Sequence, residues 1–96
     1  MPQIEVSRAD VEQFMSRFLV RIVDENETSS YVVTMSRADF DRLGSNYKTP
    51  EEFVEACFDF LLEREPKDAI MGTFDISQIK GFFPEFEAII DQPAEG

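Results

Sequence analysis

The first apolar-rich run is Phe14-Met15-Ser16-Arg17-Phe18-Leu19-Val20-Arg21-Ile22-Val23. Phe14, Phe18, Val20 and Ile22 fall on one face at a period of two, which predicts a half-buried strand. The other face, Met15, Arg17, Leu19, Arg21 and Val23, is only partly polar. Asp24 to Ser30 is a polar, turn-forming run, and Tyr31-Val32-Val33-Thr34-Met35 has strong β composition. Residues 14–36 therefore read as an antiparallel hairpin, with a connection longer than the tight two-residue kind. The stretch before it, residues 1–13, is ambiguous. Ser7-Arg8-Ala9-Asp10-Val11-Glu12 echoes Ser36-Arg37-Ala38-Asp39-Phe40-Asp41, and both look like N-capped helical turns. The shared residues are too few to make a repeat.

From Ser36 onward, residues 37–90, the pattern turns helical. Ser36 caps a short helix that Gly44 is expected to close in a left-handed conformation. Thr49-Pro50-Glu51-Glu52 is a stronger start: Thr49 caps, Pro50 takes the first helical position, and Glu52 is placed to return a hydrogen bond as a capping box. This central helix is expected to run to about Glu65, where Pro66 stops it. Pro66 to Met71 reads as a brief helix ended by Gly72. Asp75 then caps Ile76 to Lys80, with Gly81 closing, and Pro84 opens a last segment through Ile90. Residues 91–96 read as a frayed tail.

On a helical wheel, Phe53, Val54, Ala56, Cys57, Phe58, Phe60, Leu61 and Leu62 cover more than half the circumference of the central helix. So wide an apolar arc predicts cover on two sides, by the hairpin and by the short helices after it. What remains is a narrow ridge of Glu52, Glu55, Asp59 and Glu63, spaced three or four apart, where like charges repel. Arg17 and Arg21 would offset that repulsion if the hairpin turned them towards it.

Composition narrows the class. Ninety-six residues make one domain, and a hydrophobic fraction of 43% suits a folded chain. No apolar run approaches the roughly 20 residues that cross a bilayer, and the start does not read as a signal peptide. With one cysteine, Cys57, there is no internal disulfide, so a cytoplasmic location is expected. The net charge is −11, unevenly held. Residues 1–48 carry eight acids against six bases, and residues 49–96 carry twelve against three. Such a field disfavours nucleic acid and anionic membranes, and it fits either simple solubility or a basic protein partner.

The chemistry on offer is sparse. There is no histidine, so the common zinc and haem ligand sets and the Ser-His-Asp and Cys-His constellations cannot be assembled. The glycines stand far apart, and none builds a phosphate loop. Two-carboxylate catalysis would need a pocket that separates two pKa values, and a domain this small has little interior for one. Glu55 and Asp59 would hold a hard cation only weakly, and Cys57 lies on the apolar arc as a small hydrophobe. No catalytic, metal or cofactor residue is expected. Phe82-Phe83-Pro84-Glu85-Phe86 puts three rings within five residues, which reads first as a staple across the corner and second as a contact patch.

The run Phe58-Asp59-Phe60-Leu61-Leu62-Glu63-Arg64-Glu65-Pro66, then Phe74-Asp75-Ile76, then Phe82-Phe83-Pro84-Glu85-Phe86-Glu87, resembles a family of small uncharacterised prokaryotic proteins. The resemblance covers about residues 31–90. It implies a recurring fold, a strand pair followed by helices, and supplies no functional residues.

The sequence thus predicts a single α+β domain: a hairpin packed on a long central helix and several short helices. The leading expectation is a non-catalytic interaction or regulatory module contacting a protein partner, of basic character if the acids are the contact. Its candidate surface is Glu52, Glu55, Asp59, Glu63, Phe82, Phe83 and Phe86. Alternatives are a small carboxylate enzyme or ligand-binding protein with Tyr31 or Tyr47 in a cleft, and a structural homodimer joined through an open hairpin edge.

Overall fold

The computed structural model describes residues 3–25 and 27–91. The chain is α+β, with a four-stranded sheet in the order β1-β2-β3-β4. Strands β1 (Gln3–Val11), β2 (Met15–Val23) and β3 (Thr28–Ser36) form an antiparallel meander. Helices α1 (Arg37–Leu43) and α2 (Pro50–Leu62) follow, then a 3-10 turn at Lys67–Ala69. The short strand β4 (Thr73–Asp75) pairs parallel to β3. A 3-10 turn at Ile76–Gln78, helix α3 (Ile79–Phe82) and helix α4 (Phe86–Ile90) complete the domain.

The predicted hairpin is present, with differences at both ends. Phe14 is not on the buried face; it sits in the β1–β2 turn and is 69% exposed. Its carbonyl accepts from Arg37 N at 2.9 Å, which fixes the turn against the start of α1. The β2–β3 connection is shorter than the polar run suggested, because Thr28 to Ser30 already pair with β2. Asp24 N donates to Glu27 O at 2.8 Å to close it.

Residues 3–11 form a strand where a helical turn looked plausible from Ser7 onward. Ile4 and Val6 point inward and are partly buried against the core. The next inward position holds Arg8, whose guanidinium lies 5.9 Å from the Phe18 ring and forms a two-point ion pair with Glu51 (Nε–Oε2 3.0 Å). Beyond it the register shifts between Arg8 and Asp10, a bulge.

Phe18, Val20 and Ile22 of β2 and Tyr31, Val33 and Met35 of β3 supply one wall of the core. Helix α2 lies across β1 and supplies the other, burying Phe53, Val54, Cys57, Phe58, Phe60 and Leu61. Each large side chain taken from water contributes roughly 1.5–3 kcal/mol. Thr49 caps α2 by accepting from Glu52 N at 3.1 Å, with Pro50 first in the helix, as the spacing predicts. No return bond from the Glu52 side chain is formed among the described residues. The expectation of a long central helix is corrected: α2 has 13 residues and stops at Leu62. Arg64 N and Glu65 N both turn back to Leu61 O, at 3.0 and 2.9 Å, so the last turn tightens before Pro66.

Two other boundaries rest on different physics from that expected. Gly44 closes α1, but at φ −104°, outside the left-handed region. A Cβ there would lie 2.6 Å from Phe40 Cε1, so glycine is present for space. Gly81 lies inside α3 and does not end a helix. Asp75 caps the following turn as predicted, accepting from Ser77 N at 3.0 Å while Gln78 Oε1 accepts from Asp75 N at 2.8 Å. The tail is described only to Asp91; residues 92–96 lie outside the described residues.

Candidate functional site

The helical pitch of α2 brings Glu52, Glu55 and Asp59 onto one solvent-facing edge, with Glu63 following at its C-cap; all four are exposed. Glu63 meets Arg64 at 3.5 Å; Glu52, Glu55 and Asp59 have no cation partner among the described residues. Partial burial at the helix surface pushes the Glu55 carboxyl up, and the charges of Asp59 and Glu52 push it further. Asp59 is raised by the same partial burial and then by Glu63. The anticipated relief from the hairpin is absent. Arg17 and Arg21 point away from α2, out of the open face of the sheet, and pair there with Asp10 (2.8 Å) and Glu5 (3.4 Å).

Most of the other cations are also engaged. Arg42 grips Glu87 with both terminal nitrogens, at 3.0 and 3.1 Å, and reaches Asp39 at 3.1 Å. That bonding raises the Arg42 pKa and lowers that of Glu87. Lys80 adds a contact to Glu87 at 3.7 Å. Arg64 lies 3.7 Å from the Phe60 ring centroid and donates to Glu85 at 3.0 Å. Lys67 approaches Glu27 at 3.8 Å. Most of the basic side chains thus serve to join elements, and Glu52, Glu55 and Asp59 are left without a cation partner among the described residues.

The three C-terminal rings divide. Phe86 is buried (1% exposed) with its centroid 5.0 Å from Phe60, so it belongs to the core and not to a contact surface. Phe83, partly buried, packs on the same ring at 5.8 Å. Phe82 points out and is 63% exposed. The staple reading therefore accounts for Phe83 and Phe86, and Phe82 alone remains outside it. Phe82 stands beside a hollow of about 110 Å³ whose apolar lining includes Leu61, Ile70, Met71, Phe74 and Ile79. Glu65 is the single charged residue lining it. Sequence periodicity missed this hollow because its walls come from five separate elements and the links between them.

A second hollow, of about 240 Å³, lies between the β1–β2 turn and the starts of α1 and α2. Its arginines are occupied: Arg8 by Glu51, and Arg37, loosely at 4.0 Å, by Asp41. Neither tyrosine lines either hollow. Tyr31 OH donates to Lys67 O at 2.8 Å and Tyr47 OH donates to Ile90 O at 3.0 Å, so both hydroxyls hold the C-terminal segment to the core. Cys57 is fully buried, and burial pushes its thiol well up. Among the described residues, no three His, Cys, Asp or Glu side chains converge as a metal site. No helix there is long and apolar enough to cross a membrane.

The hairpin edges that the alternative of a homodimer would use are occupied within the chain. β1 covers β2, and β4 covers the middle of β3. The open edge moves to β1, which carries a bulge and an inward-pointing arginine, two devices that discourage strand addition. No family model matches the chain, and no curated protein or solved structure matches it.

Proposed function

We propose that this chain is a non-catalytic interaction module, and that it contacts a basic segment of another protein through the exposed edge of α2. The observation that carries this reading is the uncompensated run of Glu52, Glu55 and Asp59 in a chain that pairs most of its other charges. Glu55 is held above its usual range by burial and then by Asp59 and Glu52, and Asp59 by burial and then by Glu63. A cation brought to the ridge relieves that repulsion, so binding there draws on strain already present in the free protein. The same negative field speeds encounter with a basic partner.

Affinity capture from a lysate of the native host tests it, comparing the unaltered chain with Glu55→Lys/Asp59→Lys. A control of equal charge change, Glu12→Lys/Glu25→Lys, alters exposed acids that are not on the ridge. Loss of a captured protein with the ridge variant and its retention with the control is the expected result. Equal capture by both variants would remove the ridge as the contact.

A further inference from the structure

The geometry points to a binding site for one apolar side chain of a partner protein, flanked in that partner by lysine or arginine, in the hollow between α2, the turn after it, β4 and α3. This rests on the reading of the chain as an interaction module and places a second, chemically different contact on it. The floor is Leu61, Ile70, Phe74 and Ile79, all buried or nearly so. The rim is Met71, 40% exposed, and Phe82, 63% exposed. A phenylalanine so exposed beside an apolar hollow gains by being covered, since roughly 25 cal/mol accompanies each Å² of apolar surface removed from water. At about 110 Å³ the hollow suits one aliphatic or aromatic anchor, not a cofactor-sized ligand.

Charge complementarity names the partner's flanks. Glu65 lines the hollow and has no cation partner among the described residues. Asp68, exposed on the adjoining turn, has none either. The nearby cations are turned elsewhere: Arg64 to Glu85, Lys80 to Glu87, and Lys67 to Glu27 and Asp24. Gln78, the other polar lining residue, spends its side-chain oxygen on the Asp75 backbone. An acidic or neutral flank would leave Glu65 unpaired, whereas a basic flank pairs it. Side chains seated in desolvated pockets inside a polar rim are where interfaces concentrate their energy.

Amide chemical-shift titration of the isotopically labelled full chain tests this with three capped peptides: acetyl-Lys-Leu-Lys-amide, acetyl-Glu-Leu-Glu-amide and acetyl-Lys-Ser-Lys-amide. The expected result is saturable shifts at Met71, Phe74, Ile79 and Phe82 with Lys-Leu-Lys alone. Glu65→Gln should weaken that binding about two- to fivefold, the range an exposed ion pair supplies. Phe82→Ser, at an exposed position that the fold does not need, should weaken it further. Response to Glu-Leu-Glu or Lys-Ser-Lys at the same strength, or none at these amides, overturns the assignment. Shifts there that grow with protein concentration alone would place a second copy in the hollow and equally overturn it. A silent hollow together with ridge-dependent capture removes only this site. Peptide binding with capture indifferent to the ridge removes only the ridge.

Discussion

Neutralising the middle of the ridge with Glu55→Gln/Asp59→Asn should make the protein more stable. Three like-charge pairs run along it, Glu52–Glu55, Glu55–Asp59 and Asp59–Glu63, and the double substitution abolishes all three. At roughly 0.2–0.5 kcal/mol for each exposed pair, the gain is about 0.6–1.5 kcal/mol. In a domain of this length that is a rise in Tm of roughly 2–12 °C. Both carboxyls have folded-state pKa values above their ordinary ones, so folding disfavours their charged forms. The penalty is present above the folded pKa and disappears as pH falls through it towards the ordinary value. Thermal melts should therefore separate variant from parent at pH 7 and bring them together near about pH 3, where the carboxyls are protonated in both folded and unfolded chains. Adding salt to about 1 M should shrink the pH 7 gap, since the screening length falls to about 3 Å. A variant no more stable than its parent at low salt and pH 7, or a gain that survives unchanged at pH 3, would show that repulsion along the ridge does not destabilise the fold. The same variant should capture less partner, and a protein that gains stability while losing a contact marks a surface kept charged for binding.

Two further outcomes follow from the packing. Gly44→Ala should lower stability by about 1–3 kcal/mol, because the new methyl meets the Phe40 ring, whereas Gly81→Ala, with open space and a helical backbone, should raise it by about 0.4–1 kcal/mol; chemical denaturation measures both. Cys57 should resist a thiol reagent in the native protein at pH 8 and react at once in denaturant, since it is both buried and shifted towards the protonated thiol; rapid native labelling would show that α2 opens.

Much of the meander and most helix starts are legible in the residues, because they depend on short-range rules. Thr49-Pro50 and Asp75 cap turns whatever else the chain does, and the period-two run at Phe18, Val20 and Ile22 can only be half buried. The first strand was obscured because only Ile4 and Val6 mark its inner face before Arg8 breaks the alternation. Charged inner positions and bulges belong to an edge strand, yet they erase the pattern by which strands are recognised. β4 has three residues, fewer than any periodic window, and its place is set by β3, far away in the chain. On the candidate surface, the ridge follows from spacing along one helix. The division among Phe82, Phe83 and Phe86 does not, because it depends on where the chain turns at Pro84 and on the position of Phe60.

The seam between β3 and β4 joins residues about forty positions apart, held by a ladder from Val32–Thr73 to Thr34–Asp75 and by the Thr34 hydroxyl donating to Asp75. The meander closes through short loops, whereas this seam must gather in the whole two-helix crossover, so loop-closure entropy predicts that it forms after the meander and opens before it. Phe74, part of the hollow's floor, lies in that seam. The hollow therefore exists only in chains whose last strand has docked, and a partner seated in it would hold this three-residue junction shut by mass action. Amide exchange along Thr73–Asp75 would then slow on binding more than exchange in the β2–β3 hairpin, making the partner a clasp for the fold as well as its client.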